Sequence, residues 1–167
     1  MAITFKRDGY GQVELNHVSA PRDGRVYAQL PANKDITILE NGMFVKYDYE
    51  NGEVNFTGDG AWMLVYNEEK LYDERYQMHK HWAQKVEDSY DGKIYPRVFG
   101  IVTGDIFTTN TFADNTALSV GDDVAPGDDG FLAALEEDEE YDLIFRVVKE
   151  YTLPDGQPAV KLQCIKA

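Results

Sequence analysis

The chain of 167 residues is 43% hydrophobic and 13% aromatic, enough for one domain with its own core and too much for disorder throughout. Its formal charge of −14 argues against nucleic acid, which needs a basic face to neutralise phosphates, and against anionic lipid surfaces. Cys164 is the single cysteine, so an internal disulfide is excluded and assembly in a reducing cytoplasm fits, while the start "MAITFKRDGYG" lacks the apolar core of a secretion signal.

Residues 1–34 contain Gly9, Gly11, Gly24 and Pro21 between short apolar groups, and read as an extended arm with brief strands in "QVELNHV" and "RVYAQL". A β-rich body follows over 35–167. In "ITILENGMFVKYDYENGEVNFTG", Asn41-Gly42 and Asn51-Gly52 each supply the dipeptide that a type I′ turn demands, and together they predict a three-stranded meander. Between the two turns Phe44, Lys46, Asp48 and Glu50 alternate with Val45, Tyr47 and Tyr49, which places the two sets on opposite faces of a strand. The run from Trp62 to Tyr66 is apolar enough to be buried on both faces.

From Leu71 to Ser89 there is no Gly or Pro, and Tyr72, Tyr76, His79, Trp82, Ala83 and Val86 recur near helical spacing; a short helical insertion over 70–89 is predicted. Asp91-Gly92 turns the chain back into strands, in "KIYPRVFGIVT", "GDIFTTNTF", "DGFLAAL", "YDLIFRVVKEYTL" and "AVKLQCIKA", with Asp155-Gly156 joining the last two as a hairpin. The sum is a mainly β fold, a small barrel or sandwich built of hairpins.

The residues give little chemistry. His79 and His81 would share a face on a strand but diverge on a helix, and no cysteine or third histidine stands near them, so no metal site is expected. In "VGDDVAPGDDGFL" the acids come in adjacent pairs and the glycines miss the position a calcium loop requires, so this segment reads as turns. Carboxylate pairs arise by chance in a chain with 30 acidic residues, and Cys164 lies between Gln163 and Ile165 on the last strand, a place for packing. Phosphate, dinucleotide and nucleophile-elbow glycine patterns are absent. Neither a catalytic residue nor a cofactor is assigned, and a non-enzymatic role is expected. The charge is uneven: residues 104–167 hold 14 acidic and 4 basic side chains, against 16 and 12 in residues 1–103. The run "LEEDEEYDL" at 135–143 reads as a solvated turn.

The segments "IYPRVFGIVTGDIFTTNTF", "LSVGDDVAPGDDGFL" and "FRVVKEYTLPDGQPAVKLQCI" resemble small structural proteins of tailed bacteriophages of the capsid decoration, or head cement, type. The likeness runs from about Met43 to the carboxyl terminus and is densest between Tyr95 and Ile165. It implies a virion protein made in the host cytoplasm, whose β body lies on the outer capsid surface, binds the assembled major capsid protein and stabilises the head. It also implies an extended amino-terminal segment tied down to the capsid, which on this sequence points to Phe5, Lys6, Arg7 and Tyr10. Thr108, Thr109 and Thr111 offer hydroxyls and methyls that can line a protein contact without desolvating charge, either in the domain's own sheet or at a seam between copies. A trimer over a lattice axis and a monomer at a capsomer centre make the same demands on such a sequence. The alternative is a phage tail or other virion β-domain that binds a host surface glycan or another structural protein, with Trp62 and Trp82 as stacking residues.

Overall fold

The computed structural model describes residues 1–67 and 79–167. Its strands in chain order are β1 (Ile3–Thr4), β2 (Val13–His17), β3 (Val26–Tyr27), β4 (Ile38–Leu39), β5 (Phe44–Asp48), β6 (Glu53–Asn55), β7 (Trp62–Val65), β8 (Gln84–Lys85), β9 (Val98–Gly100), β10 (Ile106–Thr109), β11 (Ala117–Leu118), β12 (Asp123–Pro126), β13 (Leu132–Ala134), β14 (Ile144–Thr152) and β15 (Pro158–Lys166). One turn of helix, α1, spans Ala20–Asp23.

Two antiparallel sheets dominate. One has six strands in the order β13-β12-β14-β15-β10-β2, the other five in the order β3-β9-β7-β5-β6, with the ribbons β1-β11 and β4-β8 beside them. The fold is mainly β and sandwich-like, and the sheets do not close into a barrel. Alternation along β5 and β7 explains why. Phe44 and Leu64 face the first core, where they join Phe107, Phe145 and Leu162 of the six-stranded sheet. The Phe44 and Phe145 rings lie 5.4 Å apart, and Phe107 meets Phe145 edge-on at 5.2 Å. Val45, Met63, Val65 and Val98 point the other way, into a second core closed by Ala32, Ile36, Leu39 and Ile94. The five-stranded sheet is therefore buried on both faces, and this accounts for the continuous apolar run in β7.

Three expectations are revised. The Asn51-Gly52 turn does join β5 to β6, with Asp48 paired to Glu53. Its left-handed residue is Gly52 alone, at φ 66°, so the turn is not type I′. Asn41-Gly42 closes no hairpin: β4 pairs with β8, while β5 takes β6 and β7 as neighbours. The Asn41 amide is used instead to grip Asn67, donating to its carbonyl at 3.2 Å and accepting its N–H at 2.8 Å. The helical insertion lies outside the described residues from 70 to 78. From 79 to 89 it consists of two short 3-10 turns, His79–His81 and Val86–Asp88, flanking β8. Pairing of Ile38 with Lys85 and of Leu39 with Gln84 overrides the local helical preference there.

Residues 1–34 are woven into the body. β2 forms one edge of the six-stranded sheet and β3 one edge of the five-stranded sheet, so this segment borders both. Phe5 is 1% exposed and stacks on Phe112 at 4.4 Å. Ala20 of α1 is fully buried, and Val13, Leu15 and Val18 pack on the first core. The apolar groups between the glycines thus lie in the core or pack against it, which holds the segment to the body.

At the end of α1, Asp23 accepts from Arg22 Nε at 2.8 Å and from Arg25 Nη1 at 3.1 Å. These hydrogen bonds hold its carboxyl down at about 2. The folded value lies below the unfolded one. The associated stabilisation is therefore complete above the ordinary carboxylate range and lost as pH falls towards 2. The carboxyl carbon of Asp23, followed by NMR, is expected to titrate near the low value in the native chain and to move back towards the ordinary range in Arg22→Met. An ordinary titration in the native chain would refute the pairing.

Candidate binding surface

The threonine-rich strand that stood out in the sequence is an interior seam. Thr108, Thr109 and Thr111 are fully buried, as is their neighbour Asn110 at 1% exposure. The Thr109 hydroxyl donates to the Gln12 carbonyl at 2.8 Å and accepts the Thr111 N–H at 3.0 Å. The Thr111 hydroxyl donates to the Asn41 carbonyl at 2.8 Å, and Asn110 accepts the Gln12 N–H at 2.8 Å. Thr108 closes the row by donating to Asn16 at 2.6 Å. These hydroxyls tie β10 to the amino-terminal segment and to the turn at 40–42, satisfying carbonyls that burial would otherwise leave unpaired.

Glu40 anchors the same junction. It is 8% exposed, accepts the Gly11 N–H at 2.6 Å and pairs with the Arg7 guanidinium, which lies 4.8 Å over the Phe131 ring. Of the seven residues singled out for partner contact, Phe5, Thr108, Thr109 and Thr111 thus face the interior. Arg7 is held by Glu40, and Tyr10 is half-buried with the Lys85 ammonium 5.4 Å from its ring. Lys6 is exposed. Hydrophobic and polar side chains recruited to the junction between segments distant in sequence are not available to a partner in this fold.

The surface offers a different set. Tyr47 stacks on Tyr49 at 5.6 Å and meets Tyr27 edge-on at 5.9 Å. Tyr49 is 69% exposed and Tyr27 38%. Tyr47 packs from behind against the second core, beside Leu30 and Phe56. Burial, then the neighbouring phenols of Tyr27 and Tyr49, push its hydroxyl above the ordinary value. The file exists because Tyr47 and Tyr49 continue the Val45 face of β5 beyond the end of the core. That alternation was visible in the sequence; the arrival of Tyr27 was not, since it depends on the pairing of β3 with β9.

Two surface cavities involve the tryptophans. One of about 270 Å³ is lined by Trp62 with Asp59, Asp142 and Leu143. The other, of about 260 Å³, is lined by Trp82 with Lys85, Asp88 and Lys93. Among the described residues no three His, Cys, Asp or Glu side chains converge as metal ligands. Burial pushes the Cys164 thiol up to about 11, with Asp105 acting in the same direction against the Lys166 carbonyl, so it is a protonated core group at neutral pH.

Comparison with protein-family models, curated proteins and solved structures gives no match to this chain.

Proposed function

We propose that this chain is a virion structural protein that binds the assembled major capsid protein and stabilises a phage head. The observation that carries this reading is the Tyr27–Tyr47–Tyr49 file on a sheet buried on both faces. Tyrosines combine large contact area with a polar tip and little conformational freedom to lose, and aromatic anchors dominate protein interfaces. Mounted on a braced sheet, they meet a partner with little reorganisation. The resemblance of the strand-and-turn segments between Tyr95 and Ile165 to decoration proteins supplies the kind of partner. Repetition over a symmetric lattice multiplies modest individual contacts.

Co-sedimentation tests this directly. The protein should travel with expanded capsids and leave free major capsid subunits alone. Replacing Tyr27 and Tyr49 together by serine should weaken capsid binding by about 2 kcal/mol or more, roughly 30-fold, while the circular dichroism spectrum stays unchanged. Equal sedimentation of the native and doubly substituted chains would remove the tyrosine file from the interface. Failure of the native protein to bind any capsid would end the reading itself.

A further inference from the structure

The cavity at Trp62 has a composition that selects for positive charge. Its lining combines the indole with apolar Ala61, Ile101 and Leu143, and its polar side chains are the carboxylates of Asp59 and Asp142. Carboxylate acceptors therefore predominate at the rim, with the indole N–H as the single side-chain donor among the lining residues. A neutral sugar ring uses donors and acceptors in comparable number, whereas a cation needs the acceptors and a π face. The protein already places one ammonium at this edge: Lys46 Nζ lies 5.0 Å from the Trp62 ring centre and 3.9 Å from an Asp142 carboxylate oxygen. Lys46 and Trp62 are register partners on β5 and β7, so the strand pairing itself sets that ammonium over the ring. About 270 Å³ of cavity remains beside it, and Asp142 is 87% exposed, open to an incoming group.

We infer that the Trp62 cavity is a receptor for a basic side chain, lysine or arginine, presented by a protein partner, with Lys46 as the internal ammonium it displaces. The chain's charge of −14 favours the approach of such a segment. The inference rests on the reading of this chain as a protein-binding body, and small probes on the isolated protein test it separately from capsid binding.

The test is titration with N-acetyl-arginine methylamide, N-acetyl-lysine methylamide and tetramethylammonium, following the Trp62 indole N–H by NMR. A saturable shift is expected, at least fivefold tighter in Lys46→Met, where the internal competitor is gone, and at least fivefold weaker in the Asp59→Asn/Asp142→Asn pair. Both sets of substitutions lie at the cavity mouth, so the tryptophan that packs on the first core is left in place. A shift seen only in Lys46→Met also supports the inference. It is overturned if neither chain responds to any cation, if the acid-to-amide pair binds as tightly as the native protein, or if N-acetylglucosamine shifts the indole and the cations do not. Cation binding with no capsid binding would leave the pocket standing and remove only the capsid partner.

Discussion

Replacing Glu40 by alanine is expected to lower the unfolding free energy by about 3–5 kcal/mol, the usual cost of breaking a buried ion pair from one side. Arg7 and Glu40 are 14% and 11% exposed at their side chains. Without the carboxylate, the guanidinium against Phe131 loses its ion-pair partner, and the Gly11 N–H loses its acceptor. The measurement is urea unfolding of the native and substituted chains at equal ionic strength. Removing both charges, as Arg7→Met with Glu40→Gln, is expected to recover more than half of the loss, because the larger part comes from the abandoned cation. A cost below about 1 kcal/mol for Glu40→Ala would mean that water reaches the junction and screens it as it does a surface pair.

Gly42→Ala is expected to cost on the order of 3 kcal/mol or more, from steric overpacking added to an unfavourable left-handed backbone. Gly42 has φ +94°, and a Cβ there would fall 2.2 Å from the Thr111 hydroxyl oxygen and 2.6 Å from the Thr111 Cβ. Thr111 cannot yield, since it is fully buried and its hydroxyl is committed to the Asn41 carbonyl. Gly52→Ala supplies the control. Gly52 has φ +66° with nothing within 4 Å of an added Cβ, so it carries the backbone penalty alone, about 1 kcal/mol. Thermal or urea unfolding of the two variants separates packing from backbone strain. Equal losses at both positions would show that the seam relaxes around the methyl group.

These two sites also mark how far the sequence could be read. Local signals served well. The Asp155-Gly156 turn does join β14 to β15, the alternation of β5 assigned its faces, and the apolar run of β7 announced burial on both sides. What failed to show was long-range pairing. Asn41-Gly42 has the composition of a hairpin turn, yet Gly42 is required by the approach of Thr111, 69 positions away along the chain. The threonines at 108, 109 and 111 have the composition of a contact surface. Their acceptors, Asn16, Gln12 and Asn41, come from segments whose proximity no local pattern encodes. Similarly, the spacing of Trp82, Ala83 and Val86 suits a helix, but the pairing of β8 with β4 decides the conformation. The tyrosine file was half legible, through Tyr47 and Tyr49, and its third member arrives through a sheet edge.

The position of β15 has a consequence for how the molecule is made. It lies between β14 and β10, in the middle of the six-stranded sheet, and it is the strand nearest the carboxyl end. During synthesis β10 and β2 can pair with each other, and β12 with β13 and β14, but until residues 158–166 leave the ribosome the two groups meet at the isolated Phe112–Leu132 bridge rather than through a shared strand. Until then Phe107 and Phe145 have no common sheet to hold them face to face. A chain stopped at residue 157 would lack the ladder between β14 and β10, which makes this hairpin the keystone of the six-stranded sheet.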